Sequence, residues 1–326
     1  MKIYIGAAAA IGPAGDTTHL EREALSSDPQ PADLEALVSS LNCQDELRRV
    51  SRYTKMALMG AQTALGRLPG PVDEKTALYF GTGLGELENT ISLFSESMDP
   101  HVLYTSPYSF VSSVNNSTAF YVAKINGLMS KNMTVCQEEF SFEWTLKVAS
   151  FDLLSRHLRN ALVGAADESS FPRSEHMHRL KLEADQIMGE GSGWLCLQTS
   201  REGAVGELFL LEELPAVPER GIEWLDIISG MLEPYFEEVE DFFLLPGFRL
   251  HKEEVDEIIK RFPTMECKNY LDYCGCFHSA AAFGIASAFD DRHEAETLYF
   301  HLNRNLFGRL FIVGVKVYSD GMRGGR

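Results

Sequence analysis

The stretch MTVCQEEFSFEW, Met133–Trp144, changes its period halfway along. Met133–Cys136 is a short apolar run with β-branched members. From Phe142 the apolar residues recur at helical spacing as far as His157. A strand passing through a tight turn into a helix is the repeating unit of layered α/β folds. It also presents the turn at a helix N-terminus, where free N–H groups and the helix dipole favour a carboxylate or a thiolate. The turn carries one thiol, Cys136, and two carboxylates, Glu138 and Glu139. Whether thiol chemistry is possible depends on which of these stands at its tip.

Working outward, β-rich runs recur at Lys2–Ala7, Thr76–Phe80, Thr134–Cys136, Ala161–Gly164, Trp194–Leu197, Leu208–Leu211, Phe242–Leu245, Thr297–His301 and Leu310–Tyr318. Helical patterns lie between them, clearest at Ser51–Leu65, Ser117–Ile125, Phe142–His157 and Lys252–Arg261. This alternation predicts one α/β layered fold rather than separate helical and β units. The segment ELPAVPERG, Glu213–Gly221, carries two prolines and reads as a connection between two parts of the chain. No short repeat is visible, which leaves room for two similar halves whose sequences have diverged.

The chain has 326 residues, 45% of them hydrophobic, enough for one large core or two ordinary ones. Its formal charge is −18, with 47 acidic against 29 basic residues, which disfavours nucleic acid and anionic membranes as partners. The opening MKIYIGAAAAIGPAG breaks at Gly12-Pro13 and reads as a strand and turn, not a secretory signal. No apolar run approaches the roughly 20 residues that span a bilayer. Cys43, Cys136, Cys196, Cys267, Cys274 and Cys276 are scattered, as suits a reducing cytoplasm. Cys274-Gly-Cys276 is too tightly spaced for the common zinc pairs and has no second pair, so neither a metal nor another cofactor is expected.

Single motifs say little. Gly81, Gly83 and Gly85 follow a strand but lack dinucleotide-fingerprint spacing, so a tight turn into a helix is the expectation. Three glycines in MGEGSGWLCL, Met188–Leu197, predict close backbone packing, and Gly191-Ser192-Gly193 lacks nucleophile-elbow spacing. His278 precedes a run of small residues suited to a tightly packed helix, and is either a structural hydrogen-bonder or an acid/base group.

Taken together the blocks resemble the β-ketoacyl synthases of the thiolase fold. SPYSFVSSVNNSTAFYVAKINGLMSKNMTV is similar to the synthase stretch leading to the nucleophile strand. LRNALVGAADES resembles the family's a-l-v-G-G-x-D/E strand, MGEGSGWLCL its GEGAGxLvL, and CGCFHSAAAFG its GHxxGAxG segment with the second catalytic histidine. The resemblance implies an α-β-α-β-α layered fold of two similar halves, residues 1–212 and a shortened 213–326. Its register, counted back from Asp167 and forward from Asn116, puts Glu139 at the nucleophile position. Cys136 then falls three residues early, inside the strand, and is expected to be a packed thiol.

The other family positions are altered too. Pro246 corresponds to the first histidine, with His251 five residues late. Tyr273 corresponds to the lysine, the C-terminal GFGGTN becomes NLFGRLFIV, and His278 is retained. A carboxylate is welcome at a helix start but is a poor acyl acceptor, because attack on a thioester would give a labile anhydride. Loss of one histidine also removes a donor aimed at developing charge. The resemblance therefore implies a non-catalytic subunit similar to the chain length factors of type II polyketide synthases, including aryl polyene systems. Such a subunit pairs with an active β-ketoacyl synthase and meets the acyl carrier protein mainly through that partner. Phe110, Asn116, Phe120 and Tyr121 are the implied pocket residues, with core or interface packing as the alternative. Met133, Thr134, Val135 and Cys136 form the strand implied to pair across the dimer. A malonyl-carrier decarboxylase, with Glu139 acting as a neutral glutamine mimic, is the other enzyme-class expectation.

Overall fold

The structure, a computed structural model, describes residues 2–13, 15–16, 24–25, 34, 50–170, 172–216, 222–236, 239, 241–291 and 293–319. Strand β1 (Ile3–Gly12) is buried at every residue except the half-buried Tyr4, and the two-residue β2 (Gly15–Asp16) folds back on its end. Helix α1 (Arg52–Gly66) starts at Ser51, whose hydroxyl accepts a hydrogen bond from Thr54 N. There follow β3 (Ala77–Gly81), α2 (Leu87–Met98), α3 (Pro107–Ser112), α4 (Ser117–Ile125) and β4 (Asn132–Val135). A single 3-10 turn, Glu138–Phe140, leads into α5 (Ser141–Leu154), then β5 (Asn160–Asp167), α6 (Arg173–Leu180) and β6 (Gly191–Gln198). The remainder comprises β7 (Gly206–Leu214), α7 (Ile222–Leu232), β8 (Asp241–Pro246), α8 (Lys252–Arg261) and β9 (Met265–Cys267). It ends with α9 (Leu271–Cys274), α10 (Ala280–Ser287), β10 (Thr297–Arg304) and β11 (Leu310–Val317).

The strands are hydrogen-bonded in the order β4-β3-β5-β6-β1-β7-β11-β10-β8-β9. Each end of this array has the same connectivity. β3 runs parallel to β4 and β5, β5 antiparallel to β6, and β6 antiparallel to β1. Likewise β8 runs parallel to β9 and β10, β10 antiparallel to β11, and β11 antiparallel to β7. A short antiparallel pairing of Ile3–Ile5 with Gly206–Leu208 joins the two sets. The chain is thus two copies of one topology. The second copy starts with β7, so the expected division between residues 212 and 213 falls within that strand. We propose that the two halves divide at β7, close to the expected 212/213 boundary, with the whole strand belonging to the second half.

Helices α5 and α10 fill the layer between the half-sheets, where Phe142, Leu146, Ala282 and Phe283 pack with Leu195 and Phe311. On one outer face α1 and α4 cover β3 and β6 through Leu58, Met59, Phe80 and Trp194. On the other, α7 and α8 cover β8 and β10 through Trp224, Ile258 and Phe300. This is the expected α-β-α-β-α layering, and each large apolar side chain buried in it contributes about 1.5–3 kcal/mol. α10 is buried all round because its small residues permit backbone approach. A Cβ at Gly193 of β6 would lie 2.0 Å from Ala282 O, which bears out the close-packing reading of the Met188–Leu197 glycines.

Two expectations need correction. β4 ends at Val135, so Cys136 lies beyond the strand rather than inside it. The proline segment is shorter than expected, because β7 continues through Glu213 and Leu214, while residues 217–221 lie outside the described set. Cys43 also lies outside the described residues.

Candidate functional site

The turn between β4 and α5 is held by one serine. Ser141 Oγ shares its one proton between Glu138 O (2.7 Å) and Thr82 O (2.9 Å) and accepts from Gln137 N (2.9 Å). Glu138 takes φ = 47°, a left-handed conformation that costs a β-carbon-bearing residue about 1–2 kcal/mol. That twist turns Glu139 inward at the helix start, where it is 1% exposed. Its Oε1 accepts a 2.6 Å hydrogen bond from Arg249 Nε and lies 2.6 Å from Arg249 Nη2. Arg249 Nη2 also donates to Leu180 O at 2.7 Å, and the guanidinium lies over the Phe248 ring. The negative end of this pair sits on the helix dipole, and the positive end comes from the other half of the molecule.

A chain of buried polar groups continues behind the pair. Asn303 Nδ2 donates to Glu139 O (2.8 Å) and to Glu143 Oε1 (2.7 Å). Burial pushes the Glu143 carboxyl up to about 8, against the hydrogen bond from Asn303, and the neighbouring Glu139 charge adds to the rise. His301 lies beside it, Nδ1 3.9 Å from Glu143 Oε1, with Nε2 3.0 Å from the Tyr270 hydroxyl. Burial lowers His301 to about 3, so it is neutral at pH 7. A neutral histidine beside a protonated carboxyl is consistent with a dry interior.

His278 is held by a different device. It is 5% exposed and its Nδ1 makes no hydrogen bond. Its ring sits against Gly83, where a Cβ would come within 2.3 Å of His278 Cβ, so the glycine is needed for this approach. Asp167 secures both segments, accepting from Thr82 Oγ1 (2.8 Å), Gly83 N (3.0 Å), Leu84 N (3.1 Å) and Ser279 N (3.0 Å). The glycine-rich stretch is therefore a turn packed on a histidine. Pro246 is the last residue of β8 and buried, Tyr273 is half-buried against the central core, and His251 is an exposed helix cap whose N–H bonds Glu254 Oε2 (3.0 Å). Among the described residues no group of three or more His, Cys, Asp or Glu side chains could hold a metal.

Cys136 is not the packed thiol expected from its register. It is exposed, and Asn115 Nδ2 donates to its Sγ at 3.1 Å. The strand was expected to continue through it, but Thr82 N bonds Val135 O and closes the ladder one residue earlier. Partial burial raises the thiol above its ordinary pKa, against the pull of the Asn115 hydrogen bond. Met133, Thr134 and Val135 are half-buried on β4, the terminal strand of the array. Phe110 and Phe120 are exposed, as are Leu103, Tyr104 and Met129. Asn116 is exposed at the start of α4 with no side-chain capping bond. Tyr121 is half-buried against the α1 core, edge-on to Phe120 at 5.4 Å. Sequence reasoning did not find Arg249, Asn303 or Glu143. The available signal was an arginine three residues beyond Pro246, in a turn that the resemblance places opposite the nucleophile turn.

No family model and no curated protein matches the chain. Solved structures do. "The ishigamide ketosynthase/chain length factor" superposes with a TM-score of 0.75 at 16% identity, covering 98% of this chain and 100% of that one. A type II polyketide synthase acyl-carrier protein in complex with its ketosynthase gives 0.76 at 13%, covering 97% and 99%. The fold is that of the ketosynthases. A β-ketoacyl synthase from Burkholderia phymatum gives 0.71 at 12%, covering 97% and 99%. At these identities the likeness establishes the ketosynthase architecture, in agreement with the resemblance read from the sequence blocks.

Proposed function

We propose that the chain is a ketosynthase-fold subunit that carries no acyl group itself, pairs with an active β-ketoacyl synthase and shapes the pocket in which an acyl or polyene chain grows. The observation that carries this reading is the buried Glu139–Arg249 pair at the start of α5. An acyl-enzyme needs a nucleophile with a free approach. Here the helix start holds a carboxylate already engaged by a guanidinium, and Arg249 occupies the neighbouring space. The altered positions Pro246 and Tyr273 supply no histidine or lysine beside His278, so the oxygen-binding donor set is incomplete.

The position of β4 at the end of the strand order among the described residues supports the partner assignment. A terminal strand on a chain that also exposes Phe94, Leu103, Tyr104, Phe110 and Phe120 suits strand pairing with a second chain of like fold. Two of the similar structures are described as a ketosynthase/chain length factor and as a ketosynthase with its carrier protein, which makes a synthase and a carrier the partners to test. With a charge of −18, this chain would leave carrier docking to the catalytic subunit. The decarboxylase alternative requires a neutral Glu139. The Glu139 Oε1 atom is already engaged by Arg249 Nε at 2.6 Å, which leaves it no free approach to a substrate and weighs against that reading.

The test is co-expression with a candidate synthase followed by size-exclusion chromatography and mass measurement. A stable 1:1 complex is expected. A monomer, or a homodimer indifferent to the synthase, would overturn the assignment.

A further inference from the structure

Helices α2 and α3, Leu87–Ser112, form an arm that leaves the body of the chain and returns to it at one place. No residue of α2 is buried, and its main packing is against α3. Departure and return meet where Gly85, at φ = 66°, lies against Asn115; a Cβ on the glycine would come within 2.2 Å of Asn115 Oδ1. Glu86 pins the arm to the body. It is 2% exposed and accepts hydrogen bonds from Thr54 Oγ1 on α1, Thr118 Oγ1 on α4 (3.3 Å) and Asn89 Nδ2 on the arm itself. A second carboxylate, Glu88, stands in the first turn of α2.

Glu168, the residue after β5, adds a third carboxyl to this junction. It is 6% exposed and accepts no hydrogen bond among the described residues. The charges acting on it come from three elements: Arg52 on α1, Glu190 just ahead of β6, and Glu86 and Glu88 on the arm. Arg52 is the one cation among them, and it already grips both Glu190 oxygens through Nη1 (2.8 Å) and Nη2. The Tyr53 hydroxyl, which donates to Ala166 O (3.2 Å), also faces Glu168 and Glu86. Four carboxyls sharing one guanidinium in a buried junction cannot all be ionised at little cost. Burial pushes the Glu168 carboxyl up to about 8; Arg52 pulls it down, and Glu190, Glu86 and Glu88 raise it further.

We propose that Glu168 is a proton-operated latch for the arm: neutral, it lets Glu86 and Glu88 sit beside the Arg52–Glu190 pair, and ionised, it competes with Glu190 for Arg52 and drives the first turn of α2 away. Once the arm is released, water reaches Glu168 and its carboxyl returns toward its ordinary value of 4.5. The latched value is the higher one, so anchoring is complete below pH 4.5 and is lost as pH rises through about 8. Phe94, Leu103, Tyr104 and Phe110 are exposed on the arm, so its release loosens the surface assigned to the synthase. That consequence rests on the pairing proposed above; the latch does not.

The experiment is hydrogen exchange with mass spectrometry on the full chain without a partner, at pH 6 and pH 9, with rates corrected for intrinsic exchange. Arm peptides should lose about ten-fold or more of their protection at pH 9, beyond any loss in peptides from β5 and β6. Glu168→Gln, which mimics the neutral carboxyl, should hold arm protection within about two-fold across the same interval. Equal arm protection in the parent at both pH values would overturn the latch, as would a loss in Glu168→Gln as large as the parent's. If Glu168→Gln fails to fold, NMR titration of the parent decides: the Glu168 carboxyl carbon and the Asn89 and Thr90 amides must share one midpoint, and separate midpoints would overturn the latch. Because no partner is present, these failures are distinct from failure to form the 1:1 complex, which overturns the pairing instead.

Discussion

Replacing Arg249 with methionine removes one member of a buried ion pair and keeps much of its bulk. The side chains of Arg249 and Glu139 are 10% and 1% exposed, and Arg249 also satisfies Leu180 O at 2.7 Å. Two unit charges about 4 Å apart at an effective dielectric near 20 interact by about 4 kcal/mol. Stranding one partner of such a pair costs about 3–5 kcal/mol, and the orphaned carbonyl adds to the same loss. Equilibrium urea unfolding of Arg249→Met should therefore show a stability about 3–5 kcal/mol below that of the parent. Glu139→Met should fall by a comparable amount, since it strands the guanidinium. The double variant, with neither charge, should recover to within about 1–2 kcal/mol of the parent, because apolar pairs often replace buried ion pairs without loss. If Arg249→Met loses less than about 1 kcal/mol, or the double variant loses the sum of the two singles, the pair is not the buried, coupled unit described here.

Three further outcomes follow from the same geometry. Glu143 has a folded pKa of about 8, above its unfolded value near 4.5, so its contribution is intact below pH 4.5 and is lost as pH rises through 8. Glu143→Gln should therefore gain on the parent by a few kcal/mol between pH 5 and pH 8 in urea unfolding, and a constant difference would contradict the assignment. Phe110→Glu combined with Phe120→Glu should abolish the 1:1 complex with the synthase on size-exclusion chromatography while leaving the melting temperature within about 2 °C, because both rings are exposed. Glu139→Cys alone should not restore condensation in a carrier-protein assay. Arg249 would still occupy the site and the oxygen-binding pair would still lack a member.

The period change at residues 133–157 marked the strand–turn–helix unit because local pattern and burial agree there. The runs that became β5, β6, β8, β10 and β11 were legible for the same reason, as dense apolar segments bounded by polar turns. α2 was not, because Ile91, Phe94 and Met98 face away from this chain's own core and none of its residues is buried. The twofold repetition lies in strand connectivity, which no local signal carries. At the site, Glu139 could be found by register alone. Arg249 lies 110 residues away in sequence and only the fold brings it within reach. Cys136 was misplaced because a β-favouring residue next to Val135 reads as strand, whereas the ladder stops where Thr82 N meets Val135 O.

Cys136 is also the residue that offers the sharpest challenge, being an exposed thiol three positions from the carboxylate at the helix start. Intact-mass and peptide mass spectrometry of the chain, alone and in complex with its synthase, after incubation with acyl- and malonyl-carrier protein, addresses it directly. The account predicts acyl adducts on the synthase alone and an unchanged mass for this chain. A turnover-competent acyl adduct on this chain, at Cys136 or anywhere else, would contradict it.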